Sequence, residues 1–436
     1  MSDIYEPPTG RARMSLPEVL SIVLLVSAFG LAMWRDVNVG LVVLPAAFVM
    51  SAIAGIPKEE VLAGFPADLV VLILGVMYMF GHAQRSGAID RVVRLVVRLS
   101  RGRDWFLPWG MFLVAAVLSA IGTLPSATVA VVLPMAMRIA RTRDVDPVLM
   151  AVVACGGAGV GGFSPLSPWG ALVKELAGKL DVTYSPTALF AGLAILNLLL
   201  ALIAFCALGG LRLVRASRVR RAASRDSEVP VLRGAAPATP YETGSLIGLG
   251  VFVVAVLGFG VPVSFVALLI GLALQLVFRP DSRRVVSELP WSVVLLTSGI
   301  MVYVGVLERT GTLKAIAEHL GGIDNTLLAV LAVSYLAAVF ATVESSTVAV
   351  LGVVVPLAAA VLPHADSARF TVLLIAVCAT IGAVAISPLH LGGGLILANT
   401  EEADAPRVFR RLMAWSVGAA LVLPPALLVL PLATGL

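Results

Sequence analysis

The sequence predicts an all-α polytopic membrane protein. Two inverted-topology repeats build it, each with five spans, a re-entrant helical hairpin and an interrupted helix. Three observations carry this. The 436 residues are 59% hydrophobic and only 13% charged, against about 25% charged in soluble domains. Apolar runs near the ~20 residues that cross hydrocarbon as a helix recur from end to end, for example at 17–34 and 185–210. Ordered blocks of the first half also return in the second. A β-barrel would show short alternating segments instead.

The repeated blocks set the organisation. At an offset of 224, residues 66–87 lie on 290–311, with Pro66, Gly75, Met77, Gly81, Arg85 and Gly87 matching Pro290, Gly299, Met301, Gly305, Arg309 and Gly311. At 219, "SATVAV" (126–131) lies on "SSTVAV" (345–350), and after a slip Pro134 falls on Pro356. At 223, Cys155, Gly159, Ser164, Pro165, Leu166 and Gly170 match Cys378, Gly382, Ser387, Pro388, Leu389 and Gly393. Ordered matches at a nearly constant offset mean duplicated structure. The repeats run over 15–213 and 243–433, joined by an Arg-rich linker at 214–242.

Each repeat opens with two spans, 17–34 and 37–55 or 245–259 and 262–278, and a third follows at 67–85 or 291–308. The first run is long for a signal sequence and no small-residue cleavage site follows it. Next comes a short amphipathic helix, 88–101 or 312–322. Arg91, Arg94, Arg98 and Arg101 share one face of the first, which suits a helix lying in the interface. Two apolar arms then meet at an uncharged or nearly uncharged tip (104–141; 325–362), before an interrupted segment (147–180; 368–398) and a final span (186–210; 412–433). The crossing count per repeat is odd, so the second repeat must be inverted. Arginine placement agrees with the positive-inside bias: the first amphipathic helix, the linker, Arg279, Arg283, Arg284, Arg407, Arg410 and Arg411 fall on one side. Arg11 and Arg13 run against the outward N-terminus this implies.

Other readings are excluded on the same grounds. The net charge of +5 is spread over loops, so nucleic acid is not an expected partner; the lipid bilayer is, in a cell membrane. Cys155, Cys206 and Cys378 sit in apolar segments without metal or disulfide spacing. "GAGVGG" (157–162) lies in an apolar helix with no strand before it, so helix packing explains it better than a dinucleotide. With no Walker A, HExxH or GxSxG motif, neither ATP drive nor hydrolysis is expected, and the chain reads as no enzyme and as holding no cofactor.

Inverted repeats with paired interrupted helices are a transporter signature. A broken helix frees N–H groups at one half-helix start and carbonyls at the other half's end. The first attract anions and the second can hold a cation. Four such places occur: the tips "GTLPSAT" (122–128) and "TVESST" (342–347), and the breaks "GFSPLSPWG" (162–170) and "ISPLHLGGG" (386–394). Their hydroxyls make Ser126, Thr128, Ser164, Ser167, Ser345, Ser346, Thr347 and Ser387, with His390, the candidate substrate-binding residues. Thr123, Gly162, Glu344 and Gly392 are candidates for the coupling ion, with sodium possible at the tips and proton uptake possible at Glu344. Ser/Thr that merely satisfy backbone are the bland alternative. Neither ionisable residue is duplicated: Glu344 falls opposite Pro125, and His390 opposite Ser167. His390 either binds a carboxylate or caps its helix. Asp68 reads as an N-cap.

Residues 60–180, through "VLAGFPADLVVLILGVMYMFGHAQRSGAIDRVVRLVVRLSRGR", "LPWGMFLVAAVLSAIGTLPSATVAVVLPMAM" and "GGFSPLSPWGALV", resemble the N-terminal half of MatC-type dicarboxylate (malonate) carriers. Those belong to the ion transporter superfamily, with the divalent anion:sodium symporters. The resemblance implies a homodimer, an elevator-type movement of hairpins and broken helices against a scaffold, and a small dicarboxylate substrate. The symporter tips carry Ser-Asn-Thr. Here they read Ser126-Ala127-Thr128 and Ser345-Ser346-Thr347, so the Asn positions do not carry over and coupling to sodium or protons stays open. The expected function is secondary active transport of malonate or a C4-dicarboxylate. The alternatives are the large membrane subunit of a tripartite binding-protein-dependent carrier, a carrier of another anion in the superfamily, and a membrane enzyme or scaffold.

Overall fold

Cap residues followed by proline start many of the helices. Asp146 accepts from the N–H groups of Val148 and Leu149 ahead of Pro147, Ser185 from Ala188 ahead of Pro186, and Thr239 from Glu242 ahead of Pro240. A side-chain acceptor satisfies orphan amides, and proline at the first helical position loses nothing by lacking its own.

The computed structural model describes residues 14–100, 103–215, 237–321, 326–344, 346–362 and 366–427. Among these the helices form two sets of ten, beside a short helical stretch at 210–215. The first set is α1 (Leu16–Arg35), α2 (Val39–Ala54), α3 (Lys58–Ala63), α4 (Ala67–Arg85), α5 (Ala88–Leu99), α6 (Phe106–Ala120), α7 (Pro125–Thr142), α8 (Pro147–Gly162), α9 (Pro168–Lys179) and α10 (Pro186–Ala207). The second is α11 (Pro240–Phe259), α12 (Val263–Phe278), α13 (Ser282–Ser287), α14 (Trp291–Arg309), α15 (Thr312–Gly321), α16 (Thr326–Val343), α17 (Thr347–Val361), α18 (Ser367–Val384), α19 (Leu391–Ala398) and α20 (Ala405–Leu427). No strand occurs among the described residues. Helices α1, α4, α10, α11, α14 and α18 are long and apolar enough to cross a membrane, and shorter apolar helices accompany them. Large apolar side chains such as Val26, Ile203, Leu257 and Leu269 stay exposed, as suits a surface solvated by lipid. The chain is a multi-pass membrane protein.

The two sets interlock. Helix α2 packs on α14, and α12 packs on α4. A Cβ on Gly299 would lie 2.6 Å from the Gly40 carbonyl, and one on Gly75 would lie 2.9 Å from the Ser264 carbonyl. Position 40 maps to 264 and 75 to 299 at the same offset of 224, so the two crossings are equivalent. The broken helices also exchange partners: α9 packs on α17, and α19 on α7. Two apolar cores result, each drawing on both sets.

The scaffold contacts differ where the halves do. Arg91 on α5 donates through Nε and Nη2 to the buried Glu242 carboxylate at the start of α11, and these hydrogen bonds hold the guanidinium above its ordinary range. In the matching helix pair, Ser21 on α1 shares a 2.7 Å hydroxyl hydrogen bond with Thr312 at the start of α15, and the Tyr303 hydroxyl donates to the Ser21 carbonyl at 2.7 Å.

Four sequence expectations change. Asp68 does not cap α4: Pro66 holds the cap position, and the exposed Asp68 lies in the first turn, where only the helix dipole favours its charge. Helix α20 starts at Ala405 instead of 412, and α11 starts at Pro240, inside the stretch read as linker. The hairpin tips also shift register. Helices α7 and α17 begin at Pro125 and Thr347, and their internal prolines are Pro134 and Pro356. Both pairs are 222 apart, so Thr347 stands where Pro125 does and Ser126 opposite Val348. The serine–threonine match at 219 is a likeness of composition. Glu344 consequently lies opposite Gly122 rather than Pro125.

Candidate functional site

The two breaks are folded alike. Helix α8 ends at Gly162 and α9 starts at Pro168; α18 ends at Val384 and α19 starts at Leu391. Ser164 Oγ accepts from Leu166 N–H at 3.3 Å, and Ser387 Oγ accepts from Leu389 N–H at 3.3 Å. Ser167 N–H donates to the Ser164 carbonyl and His390 N–H to the Ser387 carbonyl, both at 2.9 Å. A Cβ at Gly170 would lie 2.2 Å from the Ser164 carbonyl and one at Gly393 2.1 Å from the Ser387 carbonyl. These glycines let the second half-helix press against the break.

Both breaks and both tips line one cavity of about 260 Å³. Its walls include Leu124, Pro125 and Ser126 from the start of α7, and Ser346, Thr347 and Val348 from the start of α17. The starts of α14 and α19 add Ser292 with Val293, and His390 with Gly392. Asn38, which caps α2, completes that side. Cys155, Ala158 and Gly159 of α8 and Gly382 of α18 close the rest, with Trp169 of α9. Several helix N-termini thus converge on one space, and each carries partial positive charge and free N–H groups. No lysine or arginine is among the described residues lining it. The polar donors are neutral: the hydroxyls of Ser126, Ser346 and Thr347, and an imidazole.

His390 is set by its own helix. Its Nδ1 accepts from Gly392 N–H at 3.2 Å, so it caps α19. A neutral ring with Nδ1 as acceptor carries its hydrogen on Nε2. Nε2 lies 3.5 Å from Thr347 Oγ1. Of the two roles the sequence offered, the cap is the one the structure holds; the other nitrogen stands beside Thr347 in the cavity wall.

The remaining expected residues divide. Ser126, Ser346, Thr347, His390 and Gly392 line the cavity. Ser164 and Ser387 hold the break turns instead. Ser167 is fully buried and its Oγ has no hydrogen-bond partner. Gly162 is a packing position, because a Cβ there would meet Pro125 Cγ at 2.4 Å. Thr123 and Thr128 face a separate cavity behind the first tip, where Thr128 accepts from the Ser119 hydroxyl at 3.0 Å. Glu344, 4% exposed, faces a third cavity of about 350 Å³ with Asp36. Its Oε1 accepts from Ser346 N–H at 3.1 Å, and Asn38, Leu296 and Ser346 line both this cavity and the central one. Ser345 lies outside the described residues.

Asn38 and Ser292 went unnoticed in the sequence, and Cys155 was read there only as a residue of an apolar segment matched by Cys378. Asn38 Oδ1 accepts from Gly40 N–H at 2.9 Å and its Nδ2 donates to the Ser292 carbonyl at 2.8 Å, tying the starts of α2 and α14 together. A lone amide between two apolar spans was the available signal.

Residues 14–162 match the family model described as the dicarboxylate carrier protein MatC N-terminus. No curated protein sequence matches. Among solved structures the chain is similar to the crystal structure of the Alcanivorax borkumensis YdaH transporter, described as having an unusual topology. The TM-score is 0.56 at 13% identity, over 95% of this chain and 98% of that one. That likeness is one of fold.

Proposed function

We propose that the protein is a secondary active transporter of a small dicarboxylate, malonate or a C4 acid, working as a homodimer. The observation that carries this is the convergence of helix N-termini and neutral donors on one cavity, with no lysine or arginine among the described residues of its wall. Helix starts stabilise a carboxylate, and neutral donors hold it loosely enough to be released. The family match over residues 14–162 supports the same substrate class. The carbonyl ends of α8 and α18 stand beside the cavity, where a sodium ion would find acceptors. Glu344 offers the proton alternative. Movement of the hairpins and broken helices against α1, α2, α11 and α12 would alternate access in an elevator-type cycle.

Counterflow of labelled malonate in proteoliposomes of the purified chain tests this, with and without a sodium gradient and at two pH values. Accumulation by the chain alone is expected. Its absence with malonate and succinate alike would sink the proposal. In the same assay Glu344→Gln abolishes the pH dependence if protons couple, and leaves it unchanged if sodium alone does.

A further inference from the structure

The first hairpin tip separates two cavities. Ser126 faces the central one, while Thr123, Ala127 and Thr128 face a second of about 310 Å³. The tip and the start of α7 contribute to the walls of both. Gln84 and Arg85 of α4 and Glu288, just after α13, line the second cavity on the face that carries Arg283 and Arg284.

Two features mark this cavity as more than a packing gap. Thr123 is 6% exposed and lines it, yet its Oγ1 has no hydrogen-bond partner. A buried hydroxyl left alone is destabilising, so a ligand that accepts from it would recover that loss. Arg85 already holds a carboxylate. Its Nη2 lies 2.5 Å and its Nε 3.1 Å from the same oxygen, Glu288 Oε2. The other oxygen, Oε1, accepts from Arg284 Nε at 3.2 Å. Glu288 is half exposed and Arg85 is 18% exposed, so the acid is the partner with solvent to turn into. If Glu288 swings out, it keeps Arg284, and Arg85 is left facing the cavity.

We propose that this cavity is a second anion site, a waiting position for a carboxylate, with Arg85 as its cationic anchor, Thr123 as a hydroxyl donor and Glu288 as the built-in competitor. A guanidinium exchanging one carboxylate for another conserves the charge balance, and its fork geometry suits either partner. A carboxylate held there lies one helix start away from the central cavity, and a shift of the tip would pass it across. Naming the anion as the carried dicarboxylate rests on the proposed function.

The test turns on opposite signs. A merely structural ion pair suffers alike from losing either partner. A competitor does not. Arg85→Ala is expected to raise the KM for malonate at least about tenfold with little change in maximal rate, and Arg85→Lys to recover part of it. Glu288→Gln is expected to lower KM about threefold. Equal damage from Arg85→Ala and Glu288→Gln would overturn the proposal, provided both elute as folded protein.

A readout independent of transport separates this site from the functional reading. Thr123→Cys in a chain whose Cys155, Cys206 and Cys378 are alanine would be labelled with an anionic and a cationic methanethiosulfonate. The anionic reagent is expected to react faster, Glu288→Gln to widen the gap and Arg85→Ala to reverse it. Equal rates for both reagents overturn the anion site. The expected preference in a chain that carries no dicarboxylate would keep the site and reject the functional reading.

Discussion

At the first break Ser164 Oγ takes the Leu166 amide and Gly170 presses on the Ser164 carbonyl; at the second, Ser387 and Gly393 do the same to Leu389 and the Ser387 carbonyl. The turns agree, but the residue that starts the second half-helix does not. Ser167 is sealed away with an idle hydroxyl, whereas His390 caps α19 and reaches the cavity wall. Duplication preserved what the backbone needs and freed the next position to diverge. The position that differs between the two breaks is the one that reaches the cavity wall in the second.

The comparison breaks first at the glycines. Gly170→Ala and Gly393→Ala each put a methyl group against a backbone carbonyl that cannot move without opening the turn. Each is expected to cost ~3 kcal/mol, read as a fall in melting temperature of the purified protein. A large loss in one and none in the other would show that the turns are not equivalent. His390→Ala comes next. It removes a cap and a cavity donor together, so the malonate KM is expected to rise ~tenfold, near the value of one hydrogen bond to a charged group. His390→Asn sharpens the point: asparagine caps well, so stability should return while the KM stays high. If KM returns too, the imidazole is only a cap.

Smaller effects lie at the shared serines. Ser164→Ala and Ser387→Ala each lose one local hydrogen bond and are expected to cost ~1 kcal/mol apiece, equal within the error of a melting curve. Ser167→Ala should do least. Its hydroxyl has no partner to lose, so stability should stay within ~0.5 kcal/mol with KM unchanged. A raised KM there would return Ser167 to the site and remove the asymmetry.

The breaks were legible because "SPL" followed by glycine occurs twice, and helix interruption by Ser, Pro and Gly is a local matter. The tips were legible as places but not in register. "SATVAV" and "SSTVAV" align by letter at 219, while the helix starts at Pro125 and Thr347 align at 222. A sequence match weighs side chains; the fold counts residues from the start of the helix. Thr128 was therefore expected beside the substrate and lies behind the tip instead. Asn38, Ser292 and Arg85 reach cavity walls only because α2 crosses α14 and α4 meets α13, contacts between halves that no local pattern announces.

By itself the sequence determined the membrane, the order of the spans and hairpins, the places where they break and the glycines those breaks need, but not the short helices Lys58–Ala63 and Ser282–Ser287. What it determined follows from hydropathy, helix period and backbone sterics, which act over a few residues. Only the tertiary structure decided which hydroxyls line which cavity. A tip residue looks into one cavity or the other according to its angle around the helix and the partner packed behind it. That choice is made by α9 lying on α17 and α19 on α7, where each half of the chain builds its part of the site against the other.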